Sequence, residues 1–108
     1  MNFVNLTPHS ISFQRPDGTV LCIEPSGGVA RCLVTSTPVG EIEGIQVITS
    51  TFGDVTGLPE PSEGVVYLVS SLVLSGIRDR DDVMAPDDFV RDGSGRIIGA
   101  RALRRERR

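Results

Sequence analysis

Residues 64–86 read GVVYLVSSLVLSGIRDRDDVMAP, and this is the most informative stretch of the chain. Its apolar run, residues 65–69, is the strongest strand pattern in the sequence. Because adjacent positions of the run are apolar, we expect both faces of the strand to be buried. Ser70 or Ser71 then caps a short helix predicted over residues 72–77. A strand that is followed by a helix at two hydroxyl residues predicts a corner where backbone N–H groups can hold an anion or a polar ligand.

The remaining sequence reads mainly as β-hairpins. Turn signals at residues 16–18 and 25–28 separate apolar runs, which predicts an antiparallel meander over the first third of the chain. Residues 35–43 and 51–64 contain Pro, Gly and polar side chains and are predicted to be loops. The predicted strands are residues 3–6, 11–15, 19–24, 29–35, 45–50, 65–69, 89–91 and 96–103.

A chain of 108 residues suffices for a single modest core, so we expect one small domain. The predicted elements place this domain in the α+β class. It should consist mainly of antiparallel β-hairpins with one or two short helices. We place the globular domain at residues 1–100 and an Arg-rich C-terminal tail at residues 101–108.

Charge is distributed unevenly along the chain. The net charge is −3, yet the tail holds five Arg and one Glu, whereas the other 100 residues hold six Arg and thirteen acidic side chains. An acidic body is not typical of a nucleic-acid-binding domain, and the tail lacks aromatic residues for base stacking. We therefore expect no nucleic-acid partner, and the simplest role of the tail is to solubilise the chain.

The lack of a signal peptide and of a membrane span predicts a cytoplasmic protein. The start, MNFVNLTPHS, lacks the basic segment and long apolar run of a signal peptide, and no later stretch is long enough to cross a membrane. Cys22 and Cys32 are then expected to be buried, reduced thiols. If residues 21–24 pair with residues 30–34, Cys22 lies opposite Cys32 across a five-residue loop, or opposite Arg31 across a four-residue loop.

Six residues are candidate ligand contacts. Ser70 and Ser71 form the strand-to-helix corner, although a plain helix cap is the simpler role for them. Arg78 and Arg80 can clamp a phosphate or a carboxylate, or they form a self-neutralised surface with the neighbouring acids. His9, the only histidine, lies at a strand end and is either structural or in contact with ligand.

Asp54 is the sixth candidate. It belongs to residues 52–61, FGDVTGLPEP, in which two Pro residues stiffen the chain and two Gly residues allow sharp bends. A stiff loop on a rigid scaffold often lines a site or an interface.

Catalytic and cofactor motifs are missing from the sequence. It has no GxSxG nucleophile elbow, no Walker loop and no GxGxxG segment, and one His with two separated Cys is too few for a standard zinc site. We therefore expect no catalytic residues, no metal and no cofactor, and we expect ligand binding rather than turnover.

Four segments together resemble a family of small proteins from phages and their bacterial hosts. They are NLTPH at residues 5–9, FGDVTGLPEP at residues 52–61, EGVVYLVS at residues 63–70 and RDDVMAP at residues 80–86. The resemblance implies a phage-type accessory protein acting in the host cytoplasm, and the Arg-rich tail lies outside it.

Two functions from different classes follow. In the first, the protein binds and sequesters a small anionic or nucleotide-like ligand and so counteracts host defence signalling. In the second, it is a protein-interaction or virion-associated structural module without a small-molecule ligand. Either function is compatible with a homo-oligomer, since a second copy would cover the open sheet edges of so small a domain.

Overall fold

Eight strands and one short helix make up residues 1–106, the part of the chain that the computed structural model describes. Most of these residues are in strands, so the fold is mainly β, and the predicted α+β class is corrected accordingly. The elements are β1 Asn2–Asn5, β2 Ile11–Gln14, β3 Val20–Ile23, β4 Arg31–Ile42, β5 Ile45–Thr56, β6 Val65–Leu68, α1 Ser71–Ser75, β7 Val83–Arg91 and β8 Ile97–Arg104.

Six strands form one sheet in the order β1-β6-β7-β8-β2-β3. β6 lies between β1 and β7 and is parallel to both, and β2 is parallel to β8. Among the described strands of this sheet, the antiparallel pairs are β2–β3 and β7–β8. The antiparallel meander predicted for the first third is therefore wrong beyond the β2–β3 hairpin. Turn residues indicate where the chain reverses, but they do not indicate which distant strand fills each side of a central strand.

The sheet curves until its two outer strands almost meet, so that it is nearly barrel-shaped. A single parallel bridge joins Asn5 at the end of β1 to Pro25, just after β3. Both the backbone N–H and the hydroxyl of Ser26 donate to the carbonyl oxygen of Asn5, at 3.0 Å and 2.8 Å. These contacts partly close the open edge that β1 would otherwise leave in the six-stranded sheet.

β6 is buried on both faces, as its sequence predicts. Val66 and Leu68 pack in one hydrophobic cluster with residues of β2 and β8. Tyr67 and Val69 pack in a second cluster, with α1 and the start of β7. Because successive side chains of a strand point to opposite faces, β6 joins the two clusters.

β4 and β5 form a separate two-stranded sheet, which we call the arm (residues 31–56). The loops predicted at residues 35–43 and 51–64 are wrong over residues 35–42 and 51–56, which are strand. Pro38 is tolerated because β4 is an edge strand, paired within residues 1–106 with β5 alone. Gly40, with a φ of 153°, lies at a shift in register.

The turn at the tip of the arm explains why the sequence did not reveal it. Glu43 and Gly44 have φ values of 53° and 78°, the two positive values that a type I′ hairpin turn needs. Asn or Asp is the usual first residue of this turn, and Glu in its place hides the signal. The radius of gyration, 16.3 Å, exceeds the roughly 13 Å of a compact domain of this length, because the arm projects from the main sheet.

The two cysteines do not face each other. β3 pairs with β2 rather than with β4, so Cys22 lies opposite Ser12, and Cys32 lies opposite Val55 in the arm. Both thiols are free. Cys22 is exposed, which corrects the expectation that both are buried.

The Arg-rich segment does not begin as a free tail. β8 extends to Arg104, and Leu103 and Arg104 pair with Pro86 and Ala85 of β7. The predicted boundary at residue 101 therefore lies inside a strand, while residues 107–108 are outside the described part of the chain. Within residues 1–106, no helix is long and apolar enough to cross a membrane.

Candidate functional site

The strand-to-helix corner forms at Ser70, as predicted. Ser70 is the N-cap of α1, with extended backbone angles, and its Oγ accepts a hydrogen bond from the N–H of Val73 at 3.2 Å. The helix is shorter than predicted and ends at Gly76. A helix of five residues has little dipole of its own, so the side chains around the corner decide what it can bind.

A cavity of about 490 Å³ opens beside this corner. Three stretches of chain line it. The first is the connection from β1 to β2 with the start of β2, and it contributes Thr7, Pro8 and His9; the others are the corner at Ser70 and the β7–β8 hairpin. Its volume lies in the range of small-molecule sites. Two predicted ligand contacts, His9 and Ser70, are therefore brought to one cavity.

The position of His9 depends on Asn5, which is only 1% exposed. The side-chain amide of Asn5 donates to the carbonyl oxygens of His9 at 2.8 Å and Ile23 at 3.0 Å. Its Oδ1 accepts from the backbone N–H of Thr7 at 2.9 Å and from the Thr7 hydroxyl at 2.6 Å. One buried amide thus holds the loop that carries His9 against β3.

The His9 imidazole is exposed and makes no hydrogen bond within residues 1–106. Both ring nitrogens are consequently open to a ligand, one as donor and one as acceptor in the neutral ring. The Ser70 oxygen already accepts from Val73, but its hydroxyl proton is available to a ligand acceptor.

Part of the cavity lining is apolar. Phe89, Ile97 and Ile98 form this part and are 40%, 48% and 51% exposed. Asp88, directly before Phe89, has a φ of 53°, an unusual backbone conformation for a strand residue. Such departures from regular geometry often accompany the placement of a functional side chain.

Asp54 and Arg78 lie elsewhere. They line a second open cavity, of about 610 Å³, between the root of the arm and the end of α1, together with Phe52 and Ser75. The predicted site residues are thus divided between two places, and Ser71, the exposed first residue of α1, is not among the residues that line either cavity.

Arg80 stabilises the chain around β6. Its guanidinium donates to both carboxylate oxygens of Asp82, at 2.8 Å and 2.9 Å, and to the carbonyl oxygen of Pro59 at 3.0 Å. It also lies 5.9 Å from the centre of the Tyr67 ring, whose hydroxyl donates to the carbonyl oxygen of Glu60. These contacts hold residues 57–64, the connection from β5 to β6, in place. Leu58 of the same connection packs against the hydrophobic core.

We expect Asp82→Asn to lower the free energy of unfolding by about 1–2 kcal/mol at neutral pH, because it breaks a bidentate, partly buried ion pair. The hydrogen bonds from Arg80 lower the pKa of the Asp82 carboxyl. A lowered pKa stabilises the fold above the unfolded value of about 3.9, and this stabilisation is lost as pH falls through the folded value. The difference between wild type and variant should therefore shrink below about pH 4.

Urea unfolding followed by far-UV circular dichroism at pH 7 and at about pH 3 measures this difference. The matched control is Asp81→Asn, an exposed neighbour that should change stability little at either pH. Equal effects of the two variants would contradict the structural role of Arg80 and Asp82.

Several residues of the cavity were not predicted from the sequence. Phe89, Ile97 and Ile98 read as ordinary strand residues, and so did Asn5, which holds the loop beside the cavity without lining it. The spacing of Asn5 and Thr7 did carry a signal, because an Asn side chain that accepts from the N–H two residues later forms an Asx-turn.

Comparisons with known proteins returned nothing: no family model, no curated protein and no solved structure matches the chain. The described residues also contain no group of three or more His, Cys, Asp or Glu side chains that could hold a metal ion.

Proposed function

We propose that the protein binds a small nucleotide-like molecule in the cavity beside His9 and Ser70. The observation that supports this most is that segments far apart in sequence line the same cavity. Three of the segments singled out in the sequence, NLTPH, EGVVYLVS and RDDVMAP, each contribute to this one cavity, through His9, Ser70 and Pro86. They are far apart in sequence, and β6 and its neighbours bring them together.

The lining favours the base and sugar of such a ligand over its phosphates. Phe89, Ile97 and Ile98 offer apolar surface to a flat ring, and His9 and Ser70 offer polar contacts. Among the described residues that line the cavity, only His9 has a titratable side chain. Anionic groups of a ligand would therefore extend towards solvent.

A single titratable side chain also favours binding over turnover, since acid–base catalysis generally needs a second positioned group. A protein that binds without turnover would sequester its ligand. Together with the resemblance to phage proteins, this supports a role in withdrawing a host signalling nucleotide.

Calorimetric titration of the full chain with cyclic nucleotides, ADP-ribose derivatives and adenosine tests the proposal. We expect one of them to bind, and Phe89→Ala to weaken its binding about tenfold through the lost stacking surface. His9→Ala should weaken it too. The matched control is Arg78→Ala, which alters the second cavity and should leave affinity unchanged.

Two results would count against the proposal. If no heat is observed with any of the compounds, nucleotide-like ligands are excluded at this site. If Arg78→Ala abolishes binding while Phe89→Ala has no effect, the ligand occupies the cavity at the root of the arm instead.

A second candidate function, a protein-interaction or virion-associated module, is favoured by one observation, the arm. A projecting two-stranded sheet with exposed apolar side chains is a common means of attaching one chain to another.

A further inference from the structure

A smaller cavity, of about 270 Å³, adjoins the cavity beside His9. Thr7, Pro8 and Ser70 line both cavities, so the two meet at these residues. We call the larger one the His9 cavity and the smaller one the Arg31 cavity, after the arginine at the start of β4 that lines it. A ligand in the His9 cavity can therefore extend past Ser70 into the Arg31 cavity.

Buried backbone hydrogen bonds fix the position of Arg31 relative to Ser70. The N–H of Leu6 donates to the carbonyl oxygen of Leu68 at 2.8 Å, and the carbonyl oxygen of Leu6 accepts from the N–H of Ala30 at 3.0 Å. These three residues are 4%, 0% and 6% exposed. Ser70 follows soon after Leu68 in the chain, and Arg31 comes directly after Ala30. One buried residue, Leu6, thus holds both sides of the Arg31 cavity.

The Arg31 guanidinium is available to a ligand. The residue is exposed, and its side chain makes no hydrogen bond or ion pair within residues 1–106. A guanidinium can donate two parallel hydrogen bonds to a phosphate group. The hydroxyl proton of Ser70, on the border of the two cavities, can supply another.

The charge around the two cavities favours an anion. The chain has fourteen acidic residues against eleven arginines, yet no Asp or Glu of the described residues lines either cavity. The two cavities therefore form a locally positive region on a protein whose net charge is negative. Such a region attracts anionic ligands and holds them with little competing repulsion.

We propose that the Arg31 cavity is the phosphate subsite of the His9 cavity, and that Arg31 makes the protein prefer nucleotides to nucleosides. This inference rests on the proposed function, because it places the base and sugar of the ligand in the His9 cavity. The anionic group leaves that cavity past Ser70, on its way towards solvent, and there contacts Arg31. The ligand class is thereby narrowed to a nucleoside that carries at least one phosphate.

Calorimetric titration of the full chain with matched pairs, adenosine with AMP and guanosine with GMP, tests this preference. In the pair that binds, we expect the monophosphate to bind at least about tenfold more tightly than the nucleoside. Arg31→Gln should weaken binding of the monophosphate about tenfold and leave that of the nucleoside unchanged. The matched control is Arg15→Gln, an exposed arginine that lines neither cavity, which should change neither affinity.

Inorganic phosphate gives a second readout, which does not depend on a nucleotide. In a titration with millimolar phosphate, the amide NMR signals of residues 30–32 and 70–73 should shift in the wild type and in Arg15→Gln, but not in Arg31→Gln. Absence of these shifts in the wild type overturns the proposal, as does their persistence in Arg31→Gln.

The two experiments also separate this proposal from the proposed function. If a monophosphate binds no more tightly than its nucleoside, the phosphate subsite is refuted and nucleotide-like binding at the His9 cavity stands. If phosphate shifts the signals around Arg31 and no nucleoside or nucleotide binds, the anion site stands and the proposed function is refuted.

Discussion

Replacing Asn5 with Ala lowers the free energy of unfolding by about 3 kcal/mol. The Asn5 side chain satisfies four polar groups: the carbonyl oxygens of His9 and Ile23, and the N–H and hydroxyl of Thr7. Each group that loses a partner away from water costs about 1–3 kcal/mol, and partial access to water at the exposed loop lowers the sum. The loss is large because one amide joins β1, the 5–9 loop and β3.

Urea unfolding followed by far-UV circular dichroism is the suitable measurement, since the chain has no Trp. The matched control is Asn2→Ala, at an exposed position of the same strand, which should change stability by no more than about 0.5 kcal/mol. A loss below about 1 kcal/mol for Asn5→Ala would show that water replaces the amide contacts.

The same substitution also bears on the proposed site. Without Asn5 the loop that carries His9 loses its attachment to β3, so ligand affinity should fall even under conditions where the variant is fully folded. Affinity equal to that of the wild type would mean that the backbone alone positions His9.

Replacing Gly57 with Ala destabilises the fold by about 3–4 kcal/mol or prevents folding. Gly57 ends the arm with a φ of 80°, a conformation that costs a residue with a Cβ about 1–2 kcal/mol. The added Cβ would also overlap the carbonyl oxygen of Val29 and lie 3.3 Å from its carbonyl carbon. Because the neighbouring atoms are backbone, the segment just before β4 must move. This movement adds an overpacking cost of about 1–3 kcal/mol.

Gly64 provides a control that separates these two contributions. It has a similar φ of 74°, and a Cβ there would have nothing within 4 Å. Gly64→Ala should therefore cost only the conformational part, about 1–2 kcal/mol. If both variants lose the same stability in urea unfolding, the close approach of Gly57 to Val29 does not contribute.

Prediction from the sequence was most successful where one local pattern suffices. The apolar run before Ser70 predicted a strand buried on both faces, and the pair Ser70-Ser71 predicted the cap of a short helix; the structure confirms both and places the cap at Ser70. The arm was missed for equally local reasons. Pro38 and Gly40 indicate a loop by composition, and only pairing with β5 shows that they lie on an edge strand and at a register shift.

The candidate site, like the fold, was predicted only in part from the sequence. His9 and Ser70 were proposed from their residue types, and the structure brings them to one cavity. Arg80 was proposed on the same basis, but its guanidinium is held by Asp82 and Pro59. Residue type indicates which chemistry is possible, whereas the neighbours of a side chain decide whether its hydrogen-bonding groups are available to a ligand.

What the sequence by itself determined is local: the strand of β6, the capped corner at Ser70, the hairpin of β2 and β3, and the residue types available for binding. Strand order, the near closure of the sheet at Asn5 and the projection of the arm were decided only by the tertiary structure. The physical reason is that a strand satisfies its backbone through partners distant in sequence. The corner at Ser70 borders a cavity because parallel pairing through β6 brings three separate segments to its side.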